Sequence, residues 1–300
     1  MKRVVILGGG FAGTYCAKHL EQDFEVTLID TKDYFEYTPG ILRTIVEPTH
    51  ARSIQVRHSQ YLKKARFIRS TATTVTTTTV TVGRKTYPFD YLIIATGSSY
   101  STPIKEENII ISSRASTLRN AHKQLQHANS ILIIGGGIVG VELAGEIATM
   151  PGKAITIIHD KEMIMQRANS RTQLLAKTFM DDHGITLMLE EKVTSHVRNT
   201  YFTDKGNKIT ADMAFLCTGI SPNSAFMRKH FSSVITDRNQ IKVDANLRVI
   251  GTEHMFALGD VNDIQEEKLA QNAEAHAKIV VKNIHALNSG RTLTPYINKK

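Results

Sequence analysis

The chain contains one pattern twice, as VVILGGGFAG at residues 4–13 and as ILIIGGGIVG at residues 131–140. Each copy is a short apolar run followed by the spacing G-x-G-x-x-G and then by a helix-forming stretch. A second apolar run follows each copy, at residues 25–30 and 154–159. Continuous apolar strands that alternate with helices are typical of parallel βαβ units whose sheets are covered on both faces. The repeat therefore predicts two nucleotide-binding lobes.

The first copy has the full pattern of a dinucleotide-binding loop. Its glycines allow a tight turn and a close approach to a pyrophosphate, which the free N–H groups of the following helix can bind. Asp30 stands 22 residues after Gly8 at the end of the second strand. A carboxylate at this place can bind the hydroxyl groups of a ribose. Strand, glycines, helix, strand and acid together predict dinucleotide binding.

The second copy has His159 where the first has Asp30, and Asp160 follows it directly. A carboxylate at this place favours NAD, because it binds the 2′-hydroxyl group and repels a 2′-phosphate. Two interpretations stay open. Either His159 removes the repulsion, so that NADPH binds as well as NADH, or Asp160 takes over the ribose contact.

The segment between the two copies is rich in threonine, which occupies eight of the eleven residues 71–81. Thr and Val favour strands, and the proline density of a glycosylated stalk is missing. The sequence therefore predicts a small antiparallel β meander here. The expected fold is α/β, with two Rossmann-like dinucleotide-binding domains and this meander.

Composition and spacing exclude several other classes of protein. The 37 Lys and Arg against 28 Asp and Glu give a net charge of +9, which favours anionic partners, but no nucleic-acid-binding signature accompanies it. Cys16 and Cys217 lie far apart, so they cannot form a C-x-x-C redox centre, and we interpret both as small buried hydrophobic side chains. The histidines lack metal-ligand spacing. We expect neither a metal nor a nucleic acid partner.

The N-terminus shows no targeting segment. Its apolar run of four residues at 4–7 is too short for a signal peptide, and Lys2 excludes N-myristoylation. No apolar run reaches the length of a membrane-spanning helix. We expect a cytoplasmic protein with at most weak peripheral attraction to anionic lipid, and membrane attachment only in a longer form. The oligomeric state stays open.

The complete set of motifs resembles the pyridine nucleotide-disulfide oxidoreductase superfamily, whose members are flavoproteins with two dinucleotide-binding domains. The motifs that carry this resemblance are the two glycine loops, Asp30, Tyr91-to-Gly97, Cys217-Thr218-Gly219 and Gly259-Asp260. Three further segments look most like the AIF-like, ferroptosis-suppressor type of NAD(P)H:quinone oxidoreductase, which lacks a redox disulfide and is related to type II NADH dehydrogenases. These segments are Lys32-Asp33-Tyr34-Phe35, Leu42-Arg43 and Leu216-Cys217-Thr218-Gly219-Ile220.

The resemblance implies FAD at the first glycine loop and NADH or NADPH as co-substrate at the second. The residues implied in FAD binding are Gly8, Gly9, Gly10, Phe11, Ala12, Gly13, Asp30, Arg43, Ala72, Thr96, Gly97 and Asp260. The residues implied in NAD(P)H binding are Gly135, Gly137, Gly140, Glu142, His159 and Gly219. No side chain is expected to be catalytic, because the flavin carries the chemistry.

The resemblance also implies an activity, namely FAD-dependent transfer of a hydride from NAD(P)H and of electrons onward to a small quinone-type acceptor. Two alternatives remain: a reductase for a small protein or ferric acceptor, and an AIF-like flavoprotein that senses NADH as an interaction module. The Gly259-Asp260 pair belongs to the FAD motifs but follows the second glycine loop. We therefore expect an FAD-binding domain of residues 1–104 and 236–300, with an NAD(P)H-binding domain of residues 105–235 inserted between its parts.

Overall fold

The computed structural model describes residues 1–99 and 114–298. The strands in this part of the chain are β1 (Arg3–Leu7), β2 (Glu25–Asp30), β3 (Tyr34–Glu36), β4 (Gln55–Arg57), β5 (Arg66–Arg69), β6 (Ala72–Val75), β7 (Thr79–Val82), β8 (Lys85–Pro88), β9 (Tyr91–Ile94), β10 (Ser98–Ser99), β11 (Ser130–Ile134), β12 (Ala154–Ile158), β13 (Thr186–Met188), β14 (Val193–Val197), β15 (Thr200–Thr203), β16 (Lys208–Thr210), β17 (Met213–Leu216), β18 (Ser221–Pro222) and β19 (Met255–Ala257). The helices are α1 (Phe11–Leu20), α2 (Arg43–Val46), α3 (Ala51–Ile54), α4 (His58–Tyr61), α5 (Arg114–His127), α6 (Ile138–Ala148), α7 (Ser170–Asp182), α8 (Arg228–Phe231) and α9 (Ala270–Asn288).

The first sheet has the strand order β19-β9-β1-β2-β5, and all its neighbouring strands are parallel. Its central strand β1 is apolar on both faces because both are covered: Val4 and Ile6 pack with α1 and α9, while Val5 and Leu7 pack towards the meander. The amphipathic helix α9 buries Ala273, among other residues, against this layer. The first predicted βαβ unit is therefore confirmed.

The second sheet repeats this arrangement with the order β13-β12-β11-β17, again parallel throughout. Helix α6 follows β11 and buries Leu143 and Ile147 against it. The second predicted βαβ unit is confirmed, and with it the expected α/β fold of two Rossmann-like units.

Smaller antiparallel sheets complete the molecule. The threonine-rich segment forms the predicted meander, in which β7 lies between β6 and β8. Strands β14, β15 and β16 form a second meander, and β3 pairs with β4. In the parts of the chain that are described, no helix is both long enough and apolar enough to cross a membrane.

Two long-range pairings tie the chain together. Strand β19 comes after the whole second sheet in sequence, yet it pairs with β9 at the edge of the first sheet. The short strands β10 and β18 pair with each other, so the segments at 98–99 and 221–222 run side by side. Beyond β18, Met227 and Val234 pack in the core cluster that also contains Val5 and Leu92.

Candidate functional site

A single cavity of about 1270 Å³ is lined by both glycine loops. It lies at the carboxyl ends of β1, β9, β11 and β17, where open parallel sheets bind their ligands. Its volume exceeds the roughly 300–1,000 Å³ that is usual for one small-molecule site. Two dinucleotide loops that open into one cavity can bring the ends of two nucleotides together.

The first loop approaches its neighbours so closely that Gly8 and Gly13 leave no room for a side chain. Gly8 has φ +97°, and a Cβ atom there would lie 2.2 Å from the carbonyl oxygen of Ala95. A Cβ atom on Gly13 would lie 1.8 Å from the carbonyl oxygen of Gly8. Gly10 caps the N-terminus of α1 and faces open space, so the helix directs its free N–H groups to the cavity.

Asp30 lies at the end of β2 and holds the first loop. Its Oδ2 accepts a hydrogen bond of 2.6 Å from the backbone N–H of Gly9, and its Oδ1 accepts one from the N–H of Lys32 at 3.1 Å. The side chain is 9% exposed and forms part of the cavity wall. The predicted acid is therefore in place beside the predicted loop.

A partly buried network beneath the same loop was not found from the sequence. The hydroxyl of Thr14 donates to the carbonyl of Gly9 at 2.9 Å and lies 3.1 Å from the hydroxyl of Tyr61. The hydroxyl of Tyr61 also bonds to Nδ1 of His58, a side chain that is 0% exposed. The other ring nitrogen of His58, Nε2, lies 3.9 Å from Asp30 Oδ2.

The second loop repeats the backbone geometry of the first. Gly135 has φ +112°, and a Cβ atom there would lie 2.5 Å from the carbonyl oxygen of Cys217. A Cβ atom on Gly140 would lie 2.0 Å from the carbonyl oxygen of Gly135. Gly137 caps the N-terminus of α6 and borders the cavity. This loop therefore also presents a helix N-terminus to a ligand.

His159 occupies the place in the second unit that Asp30 occupies in the first. Its ring packs under Gly136, and the side chain is 8% exposed. Burial lowers the pKa of His159, although the neighbouring carboxylate of Asp160 opposes the shift. The side chain of Asp160 is 47% exposed on the cavity wall and forms an ion pair with Lys161 at 3.1 Å. Both residues that the sequence left as alternatives thus border the cavity.

Asp260 follows β19 and reaches the cavity between the two units. Its Oδ2 accepts a hydrogen bond of 2.5 Å from the hydroxyl of Ser98. Directly before it, Gly259 has φ +72° and donates its N–H to Nδ1 of His276 at 3.1 Å. The turn that carries Asp260 is therefore fixed from α9.

Lys268 is a cavity residue that sequence analysis missed. Its Nζ donates to the backbone oxygens of Asn262 and Ile264, each at 3.0 Å. Burial lowers the pKa of Lys268, while the carboxylates of Asp260 and Glu266 oppose the shift. The charged run Glu266-Glu267-Lys268 directly before α9 is the available signal in the sequence, and it is not specific for a site.

Glu266 connects the cavity wall to the last described segment of the chain. Its Oε1 lies 2.8 Å from Nε2 of His276, and its Oε2 accepts a hydrogen bond of 2.8 Å from the hydroxyl of Tyr296. Residues 291–298, which include Tyr296, form neither helix nor strand. This segment thus packs against the turn and helix that carry the site.

The segments beside the paired strands β10 and β18 bring further predicted residues to the cavity. The hydroxyl of Thr96 donates to the carbonyl of Asn223 at 2.7 Å, and the N–H of Asn223 donates to Gly97 at 2.9 Å. Gly219 has φ +120° and open space beside it. Burial, and secondarily Glu146, raises the pKa of the cavity residue Glu142.

Most residues predicted for the two cofactors border this cavity, and three do not. The predicted residues along its wall are Gly8, Gly9, Gly10, Phe11, Ala12, Asp30, Ala72, Thr96, Gly97, Asp260, Gly135, Gly137, Glu142, His159 and Gly219. Gly13 and Gly140 instead support the loops from behind. Arg43 does not border the cavity: its side chain is half-exposed and forms an ion pair with Glu47 at 3.1 Å. Its neighbours Ile41 and Leu42 reach the wall in its place.

Both cysteines are buried free thiols. Burial raises the pKa of Cys217 to about 12 and also raises that of Cys16, so neither is a thiolate at neutral pH. Within residues 1–99 and 114–298, no group of three or more His, Cys, Asp or Glu side chains is placed to hold a metal ion.

Comparison with known proteins gives one family. The model of a family described as pyridine nucleotide-disulphide oxidoreductase matches residues 2–277. Apoptosis-inducing factor homolog B of Dictyostelium discoideum is 33% identical over 319 residues, which cover 97% of this chain and 82% of that protein. Ferroptosis suppressor protein 1 of Homo sapiens is 32% identical over 314 residues, covering 98% of this chain and 83% of that protein.

Solved structures share the fold at lower identity. NDH2 from Plasmodium falciparum in complex with NADH superposes with a TM-score of 0.85 at 16% identity, covering 100% of this chain and 87% of that one. The water-forming NADH oxidase from Lactobacillus brevis bound to NADH gives a TM-score of 0.78 at 23% identity, covering 99% of this chain and 71% of that one.

Proposed function

The chain belongs to the pyridine nucleotide-disulphide oxidoreductase family, and we propose that within this family it is an NAD(P)H:quinone oxidoreductase with FAD as its cofactor. The observation that carries this proposal is the single cavity of about 1270 Å³ between the two glycine loops. Such a cavity lets two dinucleotides meet, and a hydride can pass only between groups in contact.

The first loop fits FAD by three features of its own. The positive φ of Gly8 and the missing side chain of Gly9 let the loop pack closely on its supports, since a Cβ on Gly9 would strike Asp30 and His58. The N-terminus of α1 supplies N–H groups and a positive dipole end for a pyrophosphate. Asp30 borders the cavity where a ribose would bind.

Further residues would hold the rest of the cofactor. Ala72, Thr96 and Gly97 line the same wall, and Asp260 reaches it from the edge of the first sheet. When bound, FAD supplies the capacity to accept a hydride and to release electrons to an acceptor. The protein binds and orients the two nucleotides, and the buried amine of Lys268 adds positive charge near Asp260.

The second loop fits a nicotinamide nucleotide as co-substrate. Gly135, Gly137 and Glu142 border the same cavity as the first loop. Structural relatives named as complexes with NADH support this assignment. We propose that both NADH and NADPH bind, because position 159 carries histidine in place of an acid.

The acceptor is proposed to be a small quinone. The similarity to ferroptosis suppressor proteins, the type to which the motif residues point, supports a quinone over other acceptors. In the overall reaction, NAD(P)H gives two electrons and one proton as a hydride. A second proton comes from water, and the quinone becomes a quinol.

Rapid mixing tests the proposal. Purified protein should show flavin absorbance that is lost on mixing with NADH and returns when a water-soluble short-chain quinone is added. Bleaching by NADH without reoxidation by quinone would contradict the quinone assignment and favour a protein or ferric acceptor, or an NADH-sensing role. A purified protein that neither contains nor binds FAD would contradict the proposal as a whole.

A further inference from the structure

The two glycine loops differ in the groups that hold them from beneath, which are side chains at the first loop and backbone at the second. Both polar backbone groups of Gly9 are bonded to side chains: its N–H to Asp30 at 2.6 Å and its carbonyl to the hydroxyl of Thr14 at 2.9 Å. The carbonyl of Gly136, its counterpart, accepts from the backbone N–H of Met165 at 2.7 Å. Val141 stands where the first loop has Thr14, so the second loop has no hydroxyl at this place.

The hydroxyl of Tyr61 connects Thr14 to His58. A carbonyl only accepts, so the one proton of the Thr14 hydroxyl goes to Gly9. The hydroxyl of Tyr61 contacts the Thr14 hydroxyl on one side and Nδ1 of His58 on the other. Burial raises the pKa of Tyr61 to about 12, so this hydroxyl keeps its proton.

His58 supports this chain of bonds from beneath. A Cβ atom on Gly9 would lie 2.6 Å from Cε1 of its ring, and its second nitrogen, Nε2, lies 3.9 Å from Asp30 Oδ2. Burial lowers the pKa of His58, although Asp30, Asp33 and a backbone hydrogen bond with Lys32 oppose the shift. The ring therefore lies between the two groups that hold Gly9, which are Asp30 and the pair of Tyr61 and Thr14.

We propose that His58, Tyr61 and Thr14 are positioning residues that hold the first glycine loop in its FAD-binding conformation. This inference rests on the proposed function, because it concerns the affinity for FAD. The chain of bonds prevents rotation of the peptide groups of Gly9, so the loop is arranged before the ligand arrives. A site arranged in advance binds more tightly, because less order is lost on binding.

The substitution Thr14→Val removes the hydroxyl with little change in volume, and Thr14→Ser is its matched control because it keeps the hydroxyl. One neutral hydrogen bond corresponds to a roughly two- to tenfold change in affinity. We expect the Kd for FAD to rise by about this factor in Thr14→Val and to stay within about twofold of the parent in Thr14→Ser. Apoprotein is titrated with FAD, and free FAD is separated by ultrafiltration and measured by its absorbance.

A second pair of variants guards against a general loss of folding. Tyr61→Phe should weaken FAD binding like Thr14→Val, and the double variant should lose less than the product of the two single effects, because one chain of bonds is interrupted. Tyr15→Phe, one position further along α1, should bind FAD like the parent, since the ring of Tyr15 packs on His19 and lies outside this chain. At saturating FAD, the KM for NADH should be the same in all variants.

The possible outcomes separate this inference from the proposed function. A parent protein that binds no FAD overturns the proposed function and this inference with it. A parent that binds FAD, with Thr14→Val and Tyr61→Phe binding equally well, overturns the inference alone. Equal weakening by Thr14→Ser and Thr14→Val also overturns it, because the hydroxyl would then be irrelevant.

Discussion

The two glycine loops have nearly the same backbone and different supports. Gly8 and Gly135 both have positive φ, +97° and +112°, and each would strike a neighbouring strand end if it carried a side chain. Beneath them, the first loop rests on hydrogen-bonded side chains, whereas the second meets the Cγ2 atom of Ile164 and the ring of His159. The shared backbone suits the pyrophosphate binding that we propose for both loops.

The difference matches what the two proposed ligands must do afterwards. A cofactor that stays bound gains from a loop that is fixed before binding, and the buried bonds of the first loop provide this. A co-substrate must leave after each reaction. The second loop is closed by the segment around Met165, through one backbone bond to the carbonyl of Gly136 and without a side-chain hydroxyl in the place of Thr14. We therefore expect the first loop to determine retention and the second to determine turnover.

Removal of the second unit is the strongest way to test this division. We propose an FAD-binding domain of residues 1–104 and 236–300 around an NAD(P)H-binding domain of residues 105–235. The pairing of β19 with β9 supports the joining of the two outer segments. Met227 belongs to the same core cluster as Val5 of β1, which favours a second boundary nearer β18.

Limited proteolysis should release the middle segment and leave the outer fragments together, with FAD bound and all reduction by NADH lost. Mass spectrometry of the fragments that co-elute identifies the boundaries. Outer fragments that separate from each other would show that the proposed partition is wrong.

Matched substitutions at the last glycine of each G-x-G-x-x-G motif should each weaken the binding of one ligand. In Gly13→Ala the new Cβ lies 1.8 Å from the Gly8 oxygen, and in Gly140→Ala it lies 2.0 Å from the Gly135 oxygen. Overpacking of this kind costs about 1–3 kcal/mol. We expect the Kd for FAD to rise at least about tenfold in Gly13→Ala. Gly140→Ala should retain bound FAD, while its KM for NADH rises by a similar factor.

Ultrafiltration for FAD and steady-state kinetics for NADH measure these two effects. The solvent-exposed glycine of the turn at Gly83 offers a control position, although its φ of +59° limits the choice to Gly83→Asn. If Gly140→Ala also loses FAD, the two loops are not independent.

A negative charge at position 159 should weaken the binding of NADPH more than that of NADH. His159→Glu places a carboxylate where the first unit has Asp30, and like charges brought together at a binding site are strongly unfavourable. We expect Kd for NADPH to rise about tenfold, with little change for NADH. His159→Gln is the uncharged control, and direct binding of each nucleotide to the oxidised protein is the measurement. Equal weakening for both nucleotides would assign the ribose contact to Asp160 instead.

The smallest expected effect is a decrease in the free energy of unfolding at acidic pH. Burial lowers the pKa of both His58 and His159 from the ordinary value of roughly 6.5. As the pH falls below this value, the unfolded chain takes up protons that the folded protein does not. The free energy of unfolding should therefore decrease between about pH 7 and 5, by up to ~1.4 kcal/mol per pH unit for each such histidine.

Urea denaturation of His58→Gln and His159→Gln at several pH values checks this dependence. Each variant should lose stability less steeply with acid than the parent. A slope identical to that of the parent would show that the ring in question is protonated in the folded state as well.

Much of the fold followed from local patterns. The apolar runs, the glycine spacing and the threonine-rich segment predicted both βαβ units and the meander, because strands buried on both faces require continuous apolar residues. Arg43 shows the limit of the approach. Its place after Leu42 matched a family motif, but the short helix α2 directs it to Glu47 instead of the cavity.

The supports of the site could not be found in this way. His58 comes from a helix that starts 28 residues beyond Asp30 in the chain, and no periodicity marks it as the side chain beneath Gly9. Lys268 follows a turn and precedes α9, where a charged residue is common for many reasons. Such residues are recognised only when the elements that carry them are packed together.

The sequence by itself determined which segments become parallel strands and where the two dinucleotide loops lie. These properties depend on periodicity and on glycine spacing, which act over a few residues. Only the tertiary structure decided that both loops open into one cavity, that β19 returns to the first sheet, and that Tyr61 meets Thr14 beneath Gly9. Those contacts join residues far apart in the chain, and long-range packing alone selects them.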